Sequence, residues 1–181
     1  MRRFDEYGLK ICRFQAELFA ASLTQASCSS AVFLRRFMLS DIARRMDCDG
    51  FRFETVSVSD ALSEIEEQYG KSDYGKLKYT GEEMYWMGYI YRSWAYTHEV
   101  SSRELYRTVK PTELRKLYLP YHSLDPEQAI ERISEEKGLG SLSEDEMLKR
   151  GVEIIKRIRM QKTSRVAEKS APPYKTQSRK S

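Results

Sequence analysis

His98 and His122 are the only histidines in the 181 residues, and each has a carboxylate close by in sequence, Glu99 and Asp125. A histidine that shares a proton with a carboxylate is the working unit of general acid–base chemistry. Residues adjacent in sequence do not face one another on a helix, however. No serine or cysteine motif accompanies either pair, so capping and turn roles fit them better. Cys12, Cys28 and Cys48 are scattered and lack a CxxC spacing, which reads as reduced thiols rather than a disulfide framework or a zinc site. Glu66-Glu67 and Glu135-Glu136 read as solvated helix faces. A P-loop, a dinucleotide glycine fingerprint and a nucleophile elbow are all missing from the sequence. The expectation is a protein that is not an enzyme, with no catalytic residues, no metal and no cofactor.

The other chemistry on offer is recognition. "YWMGYIYRSWAYTHE", residues 85–99, holds four tyrosines, two tryptophans and a histidine. On a helix, Trp86, Ile90 and Trp94 make one stripe. Tyr85, Tyr89 and Tyr96 lie on an adjoining stripe, and Met87 and Tyr91 on a third. Aromatic bodies all round describe a helix buried among others, so both tryptophans are expected in the core. Gly88 costs about 1 kcal/mol in a helix, which marks a close approach by a neighbour. Ten of the twelve tyrosines fall between Tyr69 and Tyr121. A buried tyrosine hydroxyl needs a partner that phenylalanine would not, so some of these rings belong at the edge of the core. Protein interfaces favour tyrosine for the same amphipathic reason. Stacking of single-stranded nucleic acid ranks below both, because Arg92 is the one cation in the stretch and such sites need a basic groove.

Two further segments could contact a partner. "SSRELYRTVKPTELRKLY" gives two short helices with a tight break, loosely a helix-turn-helix, with Arg115 and Lys116 as candidate DNA contacts. The usual glycine is missing from that break, and Leu114, Leu117 and Tyr118 claim much of the second helix for packing. The other segment is the C-terminal end. From Lys149 onward there are eleven Lys and Arg against two Glu, a net of +9, which leaves −5 for residues 1–148 out of a total of +4. Within it Met147, Ile154, Ile155 and Ile158 form an apolar stripe flanked by Lys149, Arg150, Lys156, Arg157 and Arg159. Stripe and charge together suit a helix in the groove of an acidic partner. These residues, with Tyr118 and Tyr121, are the candidate partner contacts. Arg115, Lys116, Lys162 and Arg165 are the candidates if the partner is nucleic acid.

Helical periodicity dominates the elements that must position these residues. Phe4, Leu9, Phe14, Leu18 and Phe19 share a face of a first helix. A second helix, capped by Ser29 or Ser30, runs to Asp49-Gly50 with Phe33, Phe37, Ile42 and Met46 on its apolar side. "FRFETVSV" reads as a short extended connector, and "SDALSEIEEQYG" as an acidic helix closed by Gly70. Thr80 and Glu83 form a capping box that starts the aromatic helix near Gly81. Short helices follow from Ser102 and from Pro111, a proline tolerated in the first turn. "LPYHSL" reads as a turn, and Asp125-Pro126 starts a helix that runs to Gly138. "GLGS" reads as a hinge, and Ser143 with Glu146 as a further capping box. After Thr163 the chain lacks the apolar content to fold alone.

No apolar run approaches the roughly 20 residues needed to span a bilayer, and the start carries no secretory signal. A cytoplasmic protein without a membrane partner is expected. The fold expected is all-α: a compact helical domain over 1–138, a hinge and basic amphipathic helix over 139–162, and a disordered basic tail over 163–181.

Three blocks, "CSSAVFLRRFMLSDIARRMDCDGF", "YGKLKYTGEEMYWMGYIYRSWAYT" and "YLPYHSLDPEQAIERI", resemble a family of small bacterial proteins. Its genes lie beside toxin genes, and its members are taken to be the antitoxins of toxin–antitoxin pairs. The resemblance covers about residues 4–138 and stops short of the basic end. It implies a binding protein that neutralises a toxin encoded nearby through protein–protein contact. It implies no functional residue by position. The alternative is a nucleic-acid-binding regulator that uses the basic end.

Overall fold

The structure, a computed structural model, describes residues 2–48 and 50–138. Among them are nine α-helices, one 3-10 turn and no strand, so the fold is all-α. These helices belong to one compact unit that ends at Glu136. The basic helix expected over 143–162 and the tail over 163–181 lie outside the described residues.

Two long helices form the centre. Helix α1 (Glu6–Gln25) is capped by the Asp5 carboxylate, which accepts from the Gly8 N–H. Helix α5 (Gly81–His98) begins with the capping box of Thr80 and Glu83. The two backbones approach closely at Gly88. A Cβ there would lie 2.8 Å from Ala16 Cα and 2.8 Å from the Gln15 carbonyl oxygen. Gln15 closes the contact by donating from Nε2 to the Gly88 carbonyl at 3.1 Å. A larger residue at Gly88 would push apart the pair on which the other helices pack.

Around this pair lie α2 (Ser30–Met38), α3 (Asp41–Met46) and α4 (Val58–Tyr69), then α6 (Ser102–Thr108), α7 (Pro111–Lys116), α8 (Tyr118–Tyr121) and α9 (Pro126–Glu136). The single helix expected from Ser29 to Asp49 is two helices. Ser40 interrupts it by capping α3, its Oγ accepting from the Ala43 N–H. A serine at that point offers the backbone an alternative to the helical ladder. "FRFETVSV" contains the 3-10 turn Phe53–Thr55 rather than an extended run. Within "LPYHSL", Leu119 to Tyr121 belong to a single helical turn. Helix α9 stops at Glu136, two residues before Gly138, where the backbone turns left-handed.

The polar interior is organised around Arg92, which is 1% exposed. Its Nε donates to Gln15 Oε1 at 2.7 Å, Nη1 to Asp47 Oδ1 at 2.8 Å and Nη2 to Ser102 Oγ at 2.9 Å. Asp47 also accepts from the Ser102 N–H and hydroxyl. One guanidinium thus ties α1, the end of α3 and the start of α6 to α5. Tyr91 is fully buried and donates its hydroxyl to the Val109 carbonyl, as a core tyrosine must. Cys12 is buried too, and burial pushes its thiol up to about 12, which keeps it protonated and inert.

The expectation that α5 is buried on every side holds for its second half. Every residue from Ile90 to Thr97 is buried. The first half is different: Tyr85 is exposed and Trp86 and Tyr89 are half-buried. Trp94, at 4% exposure, is in the core as expected, whereas Trp86 is not. The single turn of α8 is too short to cover it. An aqueous quencher such as iodide is therefore expected to reach one tryptophan and spare the other. Replacing Trp86 with phenylalanine should abolish the quenchable fraction.

Candidate functional site

The open half of α5 faces α8. Gly81, Glu82, Tyr85 and Trp86 from α5, Ala20 from α1, and Tyr118 and His122 from α8 and its end line a shallow groove of about 350 Å³. Trp86 and Tyr118 meet nearly at right angles, with ring centres 5.6 Å apart. The His122 ring lies 4.8 Å from that of Tyr118. Its Nδ1 sits 3.1 Å from both the Tyr118 and the Leu119 carbonyl oxygens. A carbonyl can only accept, so Nδ1 carries the proton, and the ring is held as part of the α8 turn. Leu119, next to Tyr118 in the chain, is 77% exposed.

The carboxylate in the groove wall is that of Glu82. Tyr118 donates its hydroxyl to Glu82 Oε2 at 3.2 Å. Burial and the adjacent Glu82 carboxylate, which accepts that hydrogen bond, raise the phenol above its ordinary value. Glu82 has no Lys or Arg partner among the described residues. Glu83 differs. Burial alone would raise its carboxyl, but the Thr80 N–H and the Arg115 guanidinium outweigh burial and lower it. Tyr121 donates to Glu136 Oε1 at 2.8 Å, and that bond raises its phenol.

Of the sequence-based candidates, Tyr118 is thus a wall of the groove, and Tyr121 sits three residues on, tied to α9. Arg115 is engaged within the protein. Its Nε donates to Glu83 Oε1 at 2.9 Å, and its guanidinium lies 4.2 Å from the centre of the Tyr79 ring. Lys116 is exposed. Met147, Lys149, Arg150, Ile154, Ile155, Lys156, Arg157, Ile158, Arg159, Lys162 and Arg165 lie outside the described residues. Sequence reasoning placed Trp86 in the core and did not single out Glu82 or Leu119. The only advance signal was the density of tyrosines, which pointed to rings at the core edge.

The histidine–carboxylate pairs are not built as catalytic dyads. The His98 ring packs against Trp94 with ring centres 6.2 Å apart, and its Nδ1 lies 2.9 Å from Thr97 Oγ1. Glu99 is the left-handed cap of α5. Asp125 instead accepts from the Glu127 N–H at the start of α9. Among the described residues no cluster of His, Cys, Asp and Glu could hold a metal ion. None of the described helices is long and apolar enough to cross a membrane. A second apolar surface lies on the extended segment before α5, where Tyr74 is 76% and Leu77 61% exposed. That segment is pinned to the start of α2, its Tyr74 and Leu77 carbonyls accepting from the Ser29 and Ser30 N–H groups.

No family model matches the chain, and no curated protein or solved structure is detectably similar to it.

Proposed function

We propose that the protein acts without catalysis, by holding a protein partner against the aromatic groove between the start of α5 and α8. We further propose that the partner is a toxin encoded beside it, as the resemblance of the three sequence blocks implies. The observation that carries the first part is the groove itself. Tyr85, Trp86 and Tyr118 line an open concave surface, and Leu119, the next residue after Tyr118 in the chain, stands 77% exposed. Aromatic side chains in a shallow depression are what protein interfaces are enriched in, and water solvates such a surface poorly. Their binding energy comes from rings that lose water on contact and have few rotors to freeze.

Co-expression with the product of the neighbouring gene tests the reading. The wild-type chain should restore growth. Leu119→Asp places a charge on the proposed contact without touching the core, and should weaken binding of that product about tenfold or more and reduce rescue. Undiminished binding and rescue by Leu119→Asp would remove the groove from the interface.

The nucleic-acid reading rests on the net +9 from Lys149 onward. Its α7 contribution is weakened by Arg115, which Glu83 and the Tyr79 face already occupy. Binding through phosphates would weaken steeply as salt rises, because each neutralised phosphate releases counterions. A complex that survives moderate salt and nuclease favours the protein partner.

A further inference from the structure

The groove combines π faces with a carboxylate that has no cation. Elsewhere the chain covers such faces with its own basic side chains. Arg115 lies 4.2 Å from the Tyr79 ring centre, Arg2 4.1 Å from that of Tyr96, and the Lys110 ammonium 4.1 Å from that of Tyr106. Among the described residues no Lys or Arg lies over Tyr85, Trp86 or Tyr118, and the ring beside Tyr118 is that of His122, 4.8 Å away. Nor does any described Lys or Arg pair with Glu82, which accepts a hydrogen bond from the Tyr118 hydroxyl. Nearly perpendicular rings beside a carboxylate form two walls and a counter-ion, the arrangement that recognises an organic cation. At the open end of α5 the acidic residues are Glu82 and Glu83, and Arg115 neutralises Glu83, so Glu82 supplies the local negative charge that a basic group would meet.

We infer that the groove is a receptor for a basic side chain: an Arg or Lys on the partner's contact segment enters between Trp86 and Tyr118 and pairs with Glu82. Apolar residues flanking that cation cover Tyr85 and Leu119. This deepens the reading of the groove as a docking face and rests on it. It adds that the contact segment is basic rather than merely apolar. The cation is desolvated against the rings, so the attraction exceeds that of an exposed ion pair. Of the two cations on α7, Arg115 is neutralised by Glu83 and Lys116 is exposed.

The test uses the full chain and two short helical peptides of Leu and Arg, identical except that the second carries citrulline in place of arginine. Citrulline keeps the shape and hydrogen-bonding edge of arginine and removes the charge. Binding is followed by the tryptophan indole N–H signals in NMR. The Trp94 signal is an internal control, two turns away on α5 and buried. The arginine peptide should shift the Trp86 signal and leave Trp94 in place. Its affinity should fall about tenfold with citrulline, and by a similar factor for the arginine peptide on Glu82→Gln. That substitution keeps an acceptor for Tyr118 and removes only the charge, and an unchanged melting curve would show that the fold is intact.

Equal binding of the citrulline peptide would overturn the inference, as would full affinity in folded Glu82→Gln. The two readings can fail separately. If Leu119→Asp abolishes partner binding but both peptides bind alike, the docking face stands and the cation receptor falls. If the arginine peptide binds through Glu82 while the partner ignores Leu119→Asp, the receptor chemistry stands and the groove is no longer that partner's docking face.

Discussion

Asp47→Ala is expected to destabilise the fold by about 3–5 kcal/mol, the range for breaking a buried ion pair from one side. Among the described residues Asp47 is the one carboxylate bonded to Arg92, at 2.8 Å, and it also receives the N–H and hydroxyl of Ser102 at the start of α6. Alanine would leave a guanidinium with 1% exposure facing only neutral partners, Gln15 and Ser102. A buried charge without a counter-charge is costly because neither water nor an opposite charge replaces what was lost. The loss should appear in urea denaturation as a lower midpoint with little change in slope. Total stabilities are about 5–15 kcal/mol, so about a fifth or more of the stability is at stake. The double variant Arg92→Met with Asp47→Ala should be much less destabilised than the two single effects combined, since it removes the stranded charge. A loss below about 1 kcal/mol for Asp47→Ala would mean that water reaches Arg92 and that the network does not organise the core.

Gly88→Ala is expected to destabilise by about 3 kcal/mol, the upper end of the range for overpacking. In an ordinary helix the same change would gain about 1 kcal/mol. Here the new Cβ would sit 2.8 Å from Ala16 Cα and from the Gln15 carbonyl oxygen, and both atoms are backbone. A side chain could rotate away, but α1 would have to shift as a body. That would also lengthen the Gln15–Gly88 and Gln15–Arg92 hydrogen bonds. Gly81→Ala, in the first turn of the same helix, is the control, since a Cβ there meets nothing within 4 Å. It should be neutral or slightly stabilising. Equal effects at the two positions would show that propensity rather than contact governs the result.

These two sites mark where the sequence was legible and where it was not. Gly88 stood out because a glycine inside a strongly patterned helix has a local cost that a close neighbour explains. The starts of α5 and α9 were legible for similar reasons: Thr80 with Glu83, and Asp125 before Pro126, satisfy helix N–H groups within four residues. The break at Ser40 was missed because the apolar face continues through it, from Phe37 to Ile42, on either side of the interruption. Arg92 was counted as a cation in an aromatic stretch. Its burial depends on Gln15 and Asp47, distant in sequence, and no periodicity announces a partner at that distance. The same holds for the groove. Tyr118 was a candidate, but its neighbour Trp86 belongs to a stripe that reads as core throughout. Its exposure depends on what packs over it from α8, which is distant in sequence.

The central claim is that a protein partner covers the groove. Hydroxyl-radical footprinting of the wild-type chain, alone and with the neighbouring gene's product, tests it without altering any residue. Leu119 and Tyr74 make a matched pair, since they are 77% and 76% exposed and lie on different surfaces. The partner should shield Leu119, Tyr85 and Trp86 from oxidation and leave Tyr74 and Leu77 as reactive as before. Shielding of Tyr74 and Leu77 with Leu119 and Trp86 still fully reactive would contradict the claim.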